Sequence, residues 1–122
     1  GNVVMCRTLS KIFGLAGARV GWAYGPEDVI DSLRRIALTF PVASPSVAAT
    51  IAALEDRAHT AFVRKATLSS RDWLSAELTG LGLEVIPSQA NFVLVRFPGA
   101  ETTAEAADAA LRAHGIAVRR FA

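Results

Sequence analysis

Residues 2–8 (NVVMCRT) form an apolar run of strand length, without the polar alternation of a strand that has one wet face. Such a run predicts a strand covered on both sides. The polar, glycine-bearing stretch 10–17 (SKIFGLAG) predicts a loop, and 19–25 (RVGWAYG) a second strand in which Gly21 marks a close backbone approach. Gly25-Pro26-Glu27-Asp28 then opens a helix, with proline leading and two acids in its first turn. Val29, Ile30, Leu33, Ile36 and Ala37 follow at helical spacing, and Pro41 is the expected stop. Ser44 as cap and Pro45 as first residue predict an alanine-rich helix to Leu54, poor in charge and therefore packed against something.

A longer helix is expected over 60–78, carrying Phe62, Ala66, Trp73, Leu74 and Leu78 and ended by Gly80 and Gly82. After it come two short strands at 83–86 and 91–97, a helix over 102–114, a stop at Gly115 and a last strand at 116–120. The fold class is α/β. The expected organisation is part of a large domain over 1–57, a connecting helix over 58–80 and a small α/β domain over 81–122. Repeats and low-complexity segments are absent, apart from mild alanine enrichment near residues 103–113.

Composition sharpens this picture. Hydrophobic residues make up 52% of the 122 and the mean hydropathy is +0.34, greasy for a free-standing soluble domain. The excess predicts surface that is buried against another domain or subunit. A net charge of +2 gives little support to nucleic-acid binding, and no run reaches the roughly 18 apolar residues of a membrane span. The single cysteine, Cys6, reads as a buried thiol in a reducing compartment, which suits a cytoplasmic protein. The chain opens on a strand pattern without an initiator methionine and closes on another strand, so we expect a piece of a longer protein.

Metal and hydrolase chemistry find no support. His59, His114 and Cys6 have no ligand spacing, and neither a nucleophile elbow nor a phosphate-loop glycine pattern occurs. Lys11 and Arg19 are different. Lys11 follows an apolar strand, where α/β sheets place their ligands, among apolar neighbours that would desolvate its amine and favour a nucleophile. Thr8 and Ser10 add hydroxyls, and Arg19 adds a fork suited to phosphate. An imine-forming lysine beside phosphate donors describes a pyridoxal phosphate site. The bland alternative is a solvated loop lysine and a strand-edge arginine paired with a carboxylate.

The segment RTLSKIFGLAGARVGWAYG, residues 7–25, resembles the cofactor-lysine segment of fold-type I aminotransferases of class I/II, closest to the histidinol-phosphate and aromatic aminotransferases. PSQANFVLVRF and GIAVRRF are similar to later strands of the same family, in family order, so the resemblance covers essentially all of the chain. It implies that Lys11 holds pyridoxal 5'-phosphate covalently and moves the proton at the substrate α-carbon. It also implies that Thr8, Ser10 and Arg19 hold the cofactor phosphate, and that Arg119 approaches the acidic end of the substrate. Asn91 reads as structural. The implied partners are a small-molecule amino donor and a 2-oxo acid, with a homodimer as the assembly.

In that family an aspartate, an asparagine and a tyrosine contact the cofactor ring from upstream of the lysine, and a carboxylate-binding arginine lies downstream of GIAVRRF. None of these has a counterpart here, so residues 1–122 alone are expected to be inactive. Threonine-phosphate decarboxylases carry a similar lysine segment and give a second expectation. A third is a non-catalytic interaction module using Arg34–Arg35 and Arg119–Arg120, disfavoured by its scattered cations.

Overall fold

The computed structural model describes residues 1–99 and 102–121, and within it the chain forms two compact units, Gly1–Lys65 and Ala66–Ala122. Both are mixtures of helix and short sheet, and the α/β class stands.

In the first unit, strands β1 (Met5–Thr8) and β2 (Gly21–Tyr24) form an antiparallel ribbon in which Met5 pairs with Tyr24, Cys6 with Ala23, Arg7 with Trp22 and Thr8 with Gly21. Cross-strand partners share a face. One side therefore carries Met5, Arg7, Trp22 and Tyr24, and the other the small residues Cys6, Ala23, Thr8 and Gly21. Both strands are exposed throughout. The sequence reading of a doubly covered strand and a buried Cys6 is thus corrected, since Cys6 is exposed. A two-stranded ribbon has no second layer with which to cover its faces.

Helix α1 (Glu27–Ile36) has Glu27 and Asp28 in its first turn and Arg34 and Arg35 in its last, which suits its dipole at both ends. Pro26 is its cap rather than its first residue, and Ala37 is already extended, so the helix stops short of Pro41. Helix α2 (Ser44–Glu55) is capped by Ala43, not Ser44, and no side chain caps it. Its half-buried residues Ser46, Ala49, Thr50 and Ala53 recur at helical spacing, while Val47, Ile51 and Leu54 face outward. The small face is the one turned inward, and α2 packs against the short 3-10 helix Ala16–Ala18.

Helix α3 (Arg57–Gly80) runs from the first unit into the second. It begins earlier than its apolar pattern suggested, because the Asp56 carboxylate accepts the His59 N–H at 2.8 Å and supplies a cap. In the second unit, β3 (Glu84–Ile86) and β4 (Leu94–Arg96) pair antiparallel, Val85 against Val95. Their connection is pinned twice. Ser88 Oγ donates to the Phe92 carbonyl (2.7 Å) and accepts the Ala90 N–H (3.0 Å), and the half-buried Arg71 donates to the Ala90 carbonyl (3.4 Å). Asn91 in this loop is exposed.

Helix α4 (Ala104–Ala113) starts at Thr103, whose hydroxyl accepts the Ala106 N–H at 3.1 Å. Gly82 and Gly115 end α3 and α4 with positive φ and paired 6→1 and 5→2 bonds, Leu83 N–H to Leu78 O and Ile116 N–H to Leu111 O being the 6→1 members. The strand expected at 116–120 does not form. A strand needs a ladder partner, and these residues run irregular and exposed. Thr103→Ala should cost α4 about 1 kcal/mol. Faster amide exchange over its first turn would register that loss, and unchanged exchange would deny the cap its role.

Candidate functional site

Beyond Thr8 the ribbon continues by one more bond, as the Leu9 N–H donates to the Val20 carbonyl at 3.1 Å. The Leu9 carbonyl accepts the Leu15 N–H, also at 3.1 Å, so residues 10–19 leave and return as a closed loop. Leu9 is the one buried hydrophobic side chain among the described residues, 4% exposed. It anchors the loop at the point where the reactive residues begin, a role its sequence neighbourhood gave no sign of.

Thr8 and Ser10 flank Leu9 and hydrogen-bond each other. The Thr8 hydroxyl donates to Ser10 Oγ at 2.8 Å and accepts the Ser10 N–H at 3.1 Å. Thr8 is thereby occupied, whereas the Ser10 hydroxyl keeps its own hydrogen for an outside acceptor. Lys11 comes next. Its carbonyl accepts the Gly14 N–H at 2.9 Å in a tight turn whose central residues, Ile12 and Phe13, are half-buried. That turn leaves the Lys11 side chain exposed rather than desolvated among apolar neighbours, a correction to the sequence expectation.

Arg19 is not a strand residue. It ends the 3-10 helix in the left-handed region, at φ 56° and ψ 45°, and is the single non-glycine residue with positive φ among those described. That conformation costs an L-residue about 1 kcal/mol and persists where something else needs it. Its guanidinium folds back to donate from one terminal nitrogen to the Ala16 carbonyl at 2.8 Å, which leaves its other donors available.

Arg119 lies in the second unit, exposed in the stretch after α4. There it is the neighbouring Arg120 that reaches a carboxylate, Glu105, at 3.6 Å.

Charge in the loop is one-sided. Residues 1–26 contain Arg7, Lys11 and Arg19 and no acid, and none of the three cations has an ion pair among the described residues. Of the bland alternative, the exposed loop lysine is what the structure shows, whereas the arginine satisfied by a carboxylate finds no carboxylate among the described residues. A free hydroxyl hydrogen, a planar guanidinium fork and a primary amine within ten residues can hold a phosphate and offer an amine to a carbonyl. This donor set fits a phosphorylated aldehyde. A cleft of about 520 Å³ in the second unit, between β4, the start of α4 and Phe121, holds none of these groups, and its charges, Glu84 and Arg96, are already paired at 3.2 Å. Among the described residues no three His, Cys, Asp or Glu converge on a metal-sized site, and no helix is long and apolar enough to cross a membrane.

Comparison with known proteins places the site in context. Residues 1–122 match the family described as Aminotransferase class I and II. The histidinol-phosphate aminotransferase of Nitrobacter winogradskyi is 46% identical over 119 residues, and that of Dinoroseobacter shibae is 50% identical over 119. The alignments cover 97% and 98% of this chain and 33% of each relative. The chain thus spans about a third of the length of the curated relatives it matches. A Burkholderia pseudomallei crystal structure described as an aminotransferase superposes with a TM-score of 0.81 at 34% identity, covering 95% of this chain and 35% of that one.

Proposed function

Because the chain belongs to the class I and II aminotransferase family, we propose that it acts, within a protein of its relatives' length, in transferring an amino group from a phosphorylated amino donor to a 2-oxo acid. The cofactor is pyridoxal 5'-phosphate, which when bound supplies an electron sink for the bond broken at the donor's α-carbon. The observation that carries this reading is Lys11, an exposed amine in a closed loop whose two ends bring phosphate donors and no acid.

Each residue has a definable task. Lys11 would hold the cofactor through its amine and would carry the proton at the α-carbon. The Ser10 hydroxyl and Arg19 hold the phosphate, and Thr8 orients Ser10 through their mutual bond. Arg19 contributes a second property, since its strained backbone aims the guanidinium back over the 3-10 helix. Arg119 is the residue we assign to the acidic end of the substrate. Its neighbour Arg120 is engaged by Glu105, whereas Arg119 has no ion pair among the described residues. The relatives' shared name favours L-histidinol phosphate as donor. The exposed apolar side chains on β1, β2 and α2 suit a chain that buries this surface in a longer, homodimeric cytoplasmic enzyme.

The full-length protein, supplied with pyridoxal phosphate, a 2-oxo acid and in turn L-histidinol phosphate, phenylalanine or tyrosine, should transfer the amino group fastest from the first. Release of CO2 from threonine phosphate, which unlike histidinol phosphate carries a carboxylate, with no amino group transferred, would mean a decarboxylase on the same scaffold. Arg19→Gly gives a sharper test of the phosphate assignment. It removes the backbone strain, so the fold should stay within about 1 kcal/mol of wild type. Cofactor affinity should nevertheless fall on the order of a hundredfold, since a charged hydrogen-bonding fork is lost. Equal affinities by titration would remove Arg19 from the phosphate site.

A further inference from the structure

We propose that Gly21 is the positioning residue of the phosphate site: its missing side chain lets β2 close onto β1 beside Thr8, and so sets the spacing between the Thr8–Ser10 hydroxyls and Arg19. The inference rests on the phosphate reading given above and extends it to a residue that touches no ligand.

Gly21 pairs with Thr8 at the last rung of the ribbon. A Cβ placed on it would lie 2.7 Å from the Arg7 carbonyl oxygen and 3.7 Å from both Arg7 C and Thr8 Cα. All three atoms are backbone, so no rotamer change relieves the overlap. Ordinary contact begins at 3.4 Å, so the strands would have to part by about 0.7 Å at this rung. The next bond along, Leu9 N–H to Val20 O, is already 3.1 Å and would stretch beyond hydrogen-bonding range. That bond joins the two ends of the loop, with Ser10 following Leu9 and Arg19 preceding Val20. Widening the ribbon here therefore separates the two halves of the phosphate site.

The requirement is most severe at this end of the ribbon. Gly25, at the far end, is tight but less so: a Cβ there would lie 3.0 Å from Val4 Cγ2, a side-chain atom, and 3.3 Å from the backbone atoms Val3 O and Val4 Cα, against 2.7 Å at Gly21. Gly17, in the 3-10 helix of the same loop, has nothing within 4 Å of its would-be Cβ. Lack of a side chain is thus demanded most strongly at the rung beside Thr8, and at Gly17 not at all.

The test uses the full-length protein with Gly21→Ala and Gly25→Ala, titrated with pyridoxal 5'-phosphate and with pyridoxal, which lacks the phosphate. Gly21→Ala should weaken binding of the phosphorylated compound about tenfold or more, as expected when a site is misplaced by a sizeable fraction of an ångström, and leave pyridoxal binding unchanged. Gly25→Ala should move both affinities by the same factor or neither. Equal losses of both compounds in Gly21→Ala, or no loss, would overturn the positioning role. A wild-type protein without preference for the phosphorylated compound would overturn the phosphate reading itself. Should Gly21→Ala fail to fold, amide exchange in the wild type decides instead. Pyridoxal phosphate should slow exchange at Leu9 and pyridoxal should not; equal effects would refute the coupling.

Discussion

Lys11→Ala in the full-length protein should lose about four orders of magnitude or more of amino-transfer rate, the scale on which a nucleophile and proton carrier is missed. Its stability should stay within about 0.5 kcal/mol of wild type, because the side chain is exposed and its only described bond in the loop is made by its backbone carbonyl. The contrast between the two numbers matters more than either. A structural lysine would lose stability and activity together, whereas a reactive one loses activity alone. Lys65, exposed on α3, is the other lysine of the chain, and Lys65→Ala should leave turnover within about twofold. Steady-state kinetics and thermal melts on the two variants check both statements, and a Lys11→Ala enzyme within tenfold of wild type would refute the assignment.

The 122 residues by themselves should neither transfer amino groups nor unfold cooperatively. A compact monomer of 12.9 kDa exposes about 6,300 Å², yet this chain exposes 9905 Å², and Leu9 is its one buried hydrophobic side chain among those described. Phe40, Phe62, Trp22, Tyr24 and Trp73 all stand more than half exposed. With so little apolar area withdrawn from water, the entropy cost of ordering the chain is not met. The isolated chain should show helical far-ultraviolet signal, little near-ultraviolet signal, strong binding of an apolar dye and a broad melt. A sharp two-state transition in a monomer, with matching calorimetric and van't Hoff enthalpies, would contradict this.

The same burial pattern explains what could be read from the residues. Local chemistry was legible: Glu27 and Asp28 opening α1, Gly82 and Gly115 closing α3 and α4, and the tight approach at Gly21 all follow from short-range backbone requirements. The Lys11 loop stood out by its cations and its lack of acid. What failed were inferences about surroundings. The apolar run at residues 2–8 predicted cover that this chain does not itself provide, so Met5 and Cys6 are exposed, and the strand expected at 116–120 finds no ladder partner. Hydrophobicity records where a residue is best buried, and the partner that buries it can lie elsewhere. Two details had no usable sequence signal. The left-handed backbone of Arg19 hides in a segment that reads as strand, and the Asp56 cap precedes a turn of α3 without apolar periodicity.

The most direct measurement is chemical. The full-length protein, loaded with pyridoxal phosphate and reduced with borohydride, would be digested with trypsin and its peptides weighed. Attachment at Lys11 predicts a peptide spanning residues 8–19, uncut after Lys11 because its side chain is blocked, and heavier by one phosphopyridoxyl group. The Lys65 peptides should be unchanged. The added mass on Lys65, on a lysine outside these 122 residues, or on none, would contradict the account at its centre.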